Sequence, residues 1–125
     1  MKIRIKGSSI RYRLTKSEVE TFCKTGSVSD KTAFNATTFT YELKAKEGIT
    51  FLDADFVNHT ITLFIPLDQS RDWFNNSQVG FQHTITLASG QKLSLLVEKD
   101  FVCLDEREED QSDNYENPNA SPVAT

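Results

Sequence analysis

The chain is poor in the residues that staple or punctuate small folds. Among 125 residues there are two cysteines, Cys23 and Cys103, too few for a disulfide scaffold and in keeping with a reducing, cytoplasmic setting. Five glycines and three prolines exclude a collagen-like chain or a low-complexity linker. No apolar run approaches the roughly 20 residues that a membrane helix needs. The opening Met1–Lys6 alternates in charge and lacks the apolar stretch of a secretory signal. What is present is 38% hydrophobic and 26% charged residues, enough for the packed core of one domain.

Charge is unevenly distributed. Asp105, Glu106, Glu108, Glu109, Asp110, Asp113 and Glu116 face a single base, Arg107, so residues 105–125 carry −6. Thirteen basic and eleven acidic residues remain in 1–104, a charge of +2. The last segment also holds Pro118 and Pro122 and almost no large apolar residue. It lacks the apolar surface that would offset its ordering entropy. The sequence therefore reads as a folded domain over 1–104 and a disordered acidic tail over 105–125, in which Tyr115 is the one side chain suited to local anchoring.

Local patterns give the elements. Ile3 and Ile5 alternate with Lys2, Arg4 and Lys6, and Ile10, Tyr12 and Leu14 with Ser9, Arg11 and Arg13. Each is the period of a half-buried strand. A two-residue turn at Gly7-Ser8 would set Ile5 opposite Ile10, Ile3 opposite Tyr12 and Arg4 opposite Arg11. One long strand bulged at Gly7-Ser8 gives the same parity, so both arrangements stay open. Thr15-Lys16-Ser17-Glu18 is a capping box opening a helix to about Lys24, with Val19 and Phe22 buried, Cys23 packed beside Phe22, and Gly26 as its left-handed stop. Strands are expected at 27–34, 37–46, 50–57, 60–65, 79–88 and 91–98. Asn58-His59 and Ser89-Gly90 are tight turns. A second short helix fits 66–75, started by Pro66. Strand, short helix with a late aromatic, and strand occur at 10–34 and again at 60–87, a weak internal echo. Many hairpins and two short helices predict a single α+β domain with an antiparallel, curled or barrel-like sheet.

The opening Lys2-Ile3-Arg4-Ile5-Lys6-Gly7, with Ser9-Ile10-Arg11, Arg13-Leu14-Thr15 and Glu18-Val19, and the closing Leu95-Leu96-Val97-Glu98-Lys99-Asp100-Phe101 with Cys103-Leu104, resemble a family of small bacterial proteins of uncharacterised function. The acidic ending through Asn117-Pro118 is similar to that family's ending, except that Glu116 stands where the family has a proline. The resemblance implies no known activity and carries no catalytic residue.

Three constellations offer chemistry. Lys2, Arg4, Lys6, Arg11 and Arg13 would form one basic strand face. Like charges opposed across strands destabilise, so something must screen them. The ordinary reading is a solvated face with acids such as Glu42, Asp53 or Glu98 on the same sheet; the functional reading is an anion-binding surface. A charge of +2 without interleaved aromatics argues against nucleic acid. A barrel lined by Arg and Lys would resemble the triphosphate-binding tunnel enzymes, but their paired glutamates are missing from Met1–Lys6. Cys103, with Asp105 and a histidine, is a candidate soft-metal site, against the ordinary reading of a buried structural thiol. Trp73 and Phe74 are either a core plug or an exposed partner anchor. No nucleophile elbow, P-loop or dinucleotide motif is present, and His59 and His83 are the only histidines.

The expectation is thus a non-enzymatic cytoplasmic binding or accessory module acting on a protein partner, without a cofactor, nucleic-acid or membrane partner. The second reading is an enzyme-like barrel binding phosphate or another small anion through the basic strands. Neither partner nor oligomeric state is readable from the sequence.

Overall fold

A computed structural model describes residues 1–101. The expectations for Cys103 and for the acidic tail lie outside the described residues. The strands are β1 (Lys2–Lys6), β2 (Ser9–Leu14), β3 (Ser27–Ala33), β4 (Thr38–Lys46), β5 (Asp53–Val57), β6 (Thr60–Pro66), β7 (Gly80–Thr86) and β8 (Lys92–Lys99). Helix α1 (Lys16–Thr25) follows β2, and a single turn α2 (Leu67–Ser70) and a 3₁₀ turn (Trp73–Asn75) follow β6.

The strands form two separate sheets rather than one curled barrel. Sheet A has the order β1-β2-β8-β7 and sheet B the order β3-β4-β6-β5. Each is built from two antiparallel hairpins joined through a central parallel pair, β2 with β8 and β4 with β6. The expected purely antiparallel, barrel-like sheet is therefore corrected to two open mixed sheets. Turn chemistry dictates the hairpins, but the parallel joins depend on where the helices return the chain, which local patterns do not reveal.

β1 and β2 form the hairpin, with Ile5 opposite Ile10, Ile3 opposite Tyr12 and Arg4 opposite Arg11. Gly7 takes φ 53°, the positive value required at the first position of a type II′ turn. Asn58 and His59 both have positive φ, as a type I′ turn demands. The β7–β8 connection is longer than the Ser89-Gly90 turn expected. Leu87 N–H bonds to Gln91 O and Gly90 N–H to Leu87 O.

The core lies between the inner faces of the sheets. Tyr12, Leu14, Leu95 and Val97 from sheet A join Leu43, Leu63 and Ile65 from sheet B in one buried cluster. Each such side chain stabilises by roughly 1.5–3 kcal/mol relative to exposure. Tyr12 crosses the core: its hydroxyl donates to the Ile61 carbonyl at 3.0 Å, and burial pushes its pKa well above the ordinary value. The neighbouring Tyr41 meets Tyr12 edge-on at 6.0 Å and donates to the Met1 carbonyl at 2.8 Å. Its pKa is raised by burial and then by the charges of Asp30 and Glu18.

Helix α1 forms as its capping box requires. Glu18 N–H donates to Thr15 Oγ1 and Thr15 N–H to Glu18 Oε1. Gly26, at φ 86°, ends it. Val19 and Phe22 are buried, and Cys23 donates its thiol to the Ser70 carbonyl at 3.1 Å, tying α1 to α2. The single helix expected over 66–75 is instead two short turns. The second of them opens with Trp73, which points fully inward against Phe22 and Phe81, and its indole N–H donates to the Gln78 carbonyl at 2.9 Å. Trp73 is a core plug. The partner-contact expectation fails for it because no part of the residue reaches solvent.

Candidate functional site

The basic residues do share a face. On the side of sheet A away from the core, Lys2 lies opposite Arg13, Arg4 opposite Arg11 and Lys6 opposite Ser9. β8 continues these rows with Glu98, Leu96 and Ser94, and β7 with Gly80, Gln82 and Thr84. Strand alternation alone puts them there, since Ile3, Ile5, Ile10, Tyr12 and Leu14 take the other face.

The acids are not spread evenly over this surface. Glu98 accepts from Arg13 at 2.8 Å and lies 4.0 Å from Arg11. Asp100 holds Lys2 at 3.0 Å. Glu42 and Asp53, expected as screening neighbours, belong to sheet B; of the acids proposed for this role, Glu98 alone is present. Among the described residues no acid lies within ion-pair distance of Arg4 or Lys6. Among the described residues the acids of this face therefore sit at its helix end, against Lys2, Arg11 and Arg13, and none pairs with a base toward the Gly7-Ser8 turn.

Gly80 lets β7 approach the β8 backbone at Val97 and Glu98, where an added Cβ would collide with the Val97 carbonyl oxygen. A Cβ on Gly80 would stand 2.8 Å from Glu98 Cα and 2.9 Å from its Cβ, closer than packed atoms tolerate. A glycine facing this glutamate is a signal that a sequence reading alone passes over.

Around Arg4 and Arg11 the face is hollowed into a cleft of about 240 Å³, with Lys6, Gln82 and Ser94 at its sides and Leu96 in its lining. Ser94 and Thr84 share a hydrogen bond at 3.2 Å. Two guanidinium groups, an ammonium, an amide and a hydroxyl are donors suited to carboxylate or phosphate oxygens. His83 lies on the opposite face of β7 from Gln82, stacked on Phe51 at 4.6 Å, and His59 lies in a turn of sheet B. The cleft therefore brings together anion-binding groups without an imidazole for proton transfer.

The other sites are less complete. Phe74 is half-buried and lines an apolar cleft of about 310 Å³ with Leu14, Val19 and Phe101. Among the described residues no three His, Cys, Asp or Glu side chains converge as metal ligands, and none of their helices is long and apolar enough to cross a membrane.

The sequence model of a family of unknown function, DUF7009, matches residues 1–119. The chain belongs to this family. No curated protein and no solved structure matches it. The DUF7009 match spans both sheets and much of the acidic segment beyond them, so the basic face and the acidic ending occur within one family unit.

Proposed function

We propose that this DUF7009 protein is a non-catalytic cytoplasmic binding module that holds an acidic segment of a partner protein on the outer face of sheet A. The observation that carries this reading is the Arg4–Arg11 pair. The two arginines hold directly opposed positions on β1 and β2 and line one cleft with Lys6, and among the described residues no acid lies within ion-pair distance of Arg4 or Lys6. Opposed like charges oppose folding; an arrangement that keeps them is accounted for by an anion that binds there. Cysteine usage supports the cytoplasmic setting.

The test separates binding from stability. Arg4→Glu converts the like-charge pair into an opposite-charge pair, so the variant should melt at a higher temperature than the parent. It should also bind a glutamate octapeptide about tenfold more weakly at low salt, and the parent's own affinity should fall as salt rises. Isothermal titration and a thermal melt read both effects. Unchanged peptide affinity in Arg4→Glu would sink the proposal.

A further inference from the structure

The basic face ends at a strand paired on one side. β1 is an edge of sheet A, with β2 as its neighbour. Ser94 N–H bonds to Ser8 O and Asp100 N–H to Leu14 O, so even-numbered residues of β2 direct their backbone groups to β8 and odd-numbered ones to β1. Lys2, Arg4 and Lys6 therefore bond to Arg13, Arg11 and Ser9, and β1 turns the backbone groups of Met1, Ile3 and Ile5 out of the sheet. Tyr41 takes the Met1 carbonyl. The outward groups of Ile3 and Ile5 have no partner among the described residues.

The side chains along this edge alternate sharply. Lys2, Arg4 and Lys6 lie on the basic face, while Ile3 and Ile5 lie on the inter-sheet side. Ile5 is 54% exposed and lines an apolar mouth of about 340 Å³ between the sheets, with Ile10, Phe56 and Leu87. A second copy of this chain is a poor occupant. Antiparallel self-pairing about Arg4 would set Arg4 against Arg4 and Lys2 against Lys6, the repulsion by which edge strands resist self-association. A small amphiphile would be left largely uncovered in so open a mouth, whereas a polypeptide supplies its own cover.

We infer that β1 is the docking edge for an extended partner segment in which acidic and apolar residues alternate, added to sheet A as a fifth strand. This rests on the acidic-segment reading above. The partner's backbone bonds to Ile3 and Ile5, its acids stand across from Arg4 and Lys6, and its apolar side chains cover Ile3 and Ile5 and enter the mouth.

Three peptides test the inference against the full chain labelled with ¹⁵N: an alternating Glu-Val octapeptide, a block octapeptide of four Glu and four Val, and a glutamate octapeptide. The alternating peptide should bind about tenfold more tightly than the other two and should slow amide exchange at Ile3 and Ile5. Ile5→Pro removes one outward N–H at an edge position that tolerates proline; it should abolish the preference while retaining affinity for the glutamate peptide. If that variant does not fold, exchange at Ile3 and Ile5 in the unaltered protein decides. Equal affinities without protection of those amides would overturn strand addition and leave the basic-face reading standing. Failure of all three peptides to bind would overturn both. Protection at β3, β5 or β7 instead of β1 would overturn the choice of edge, and protection of Ile3 and Ile5 by concentration alone would make a second copy the occupant.

Discussion

Thr15 and Glu18 close the start of α1 by exchanging hydrogen bonds, and Glu18 also accepts from the Met1 ammonium. Thr15→Ala should therefore cost about 1 kcal/mol, read as a lower midpoint in urea. Glu18 adds a pH dependence. Burial pushes its carboxyl upward, but the bonds from the Met1 amine and from Thr15, with the ammonium's charge, outweigh burial and hold its pKa below 4.5. A carboxylate with a lowered folded value contributes stability that is full above its unfolded value and is lost as pH falls through the folded one. Glu18→Gln should be less stable than the parent at neutral pH, and the difference should close as pH drops below 4.5. Urea midpoints across a pH series check this, and a difference independent of pH would count against it. These features were legible in the sequence because they are local: a cap needs four consecutive residues, and a two-residue turn sets the opposition of Arg4 and Arg11. That no described acid pairs with Arg4 was not legible, because the placement of Glu42 and Asp53 on sheet B follows from the strand order and not from local pattern.

Among the elements, the segment after β6 departs furthest from its local signal. Pro66 and the spacing of Trp73 and Phe74 favour one helix, yet the chain breaks after α2 and again after the 3₁₀ turn. Tertiary packing overrides propensity here: Trp73 must reach Phe22 and Phe81, and its indole N–H must find the Gln78 carbonyl. Trp73→Ala should cost about 3–5 kcal/mol by opening a cavity at the joint of α1, the 3₁₀ turn and β7. Phe74→Ala, at a half-buried position, should cost clearly less. Chemical denaturation of the two variants ranks them, and equal losses would remove the plug assignment.

At the scale of the molecule the weak echo between 10–34 and 60–87 acquires a form. Hairpin, helical segment and hairpin occur twice: β1-β2-α1-β3-β4, then β5-β6-α2 with the 3₁₀ turn, then β7-β8. Each half sends one hairpin to each sheet, so the order β1-β2-β8-β7 maps onto β5-β6-β4-β3. Periodicity gave the strands, but this exchange rests on contacts between distant segments and leaves almost no local trace. Its nesting has a temporal consequence. Sheet B is continuous in the chain from Ser27 to Pro66, whereas sheet A joins β2 to β8, with Arg13 and Glu98 separated by 85 positions. On a ribosome, sheet B can assemble while sheet A still lacks half its strands, since loop closure over a long separation is the slower event. Until β8 emerges, Tyr12 and Leu14 have no parallel partner strand, and the nascent chain offers a second unsatisfied edge beside the basic one. Pulsed exchange during refolding should protect the amides of β4 and β6 before those of β2 and β8; simultaneous protection would contradict this order. Two unfinished chains pairing through this hairpin would set the bases of β1 and β2 against one another, so repulsion between like charges would oppose that association, and it should weaken as salt rises.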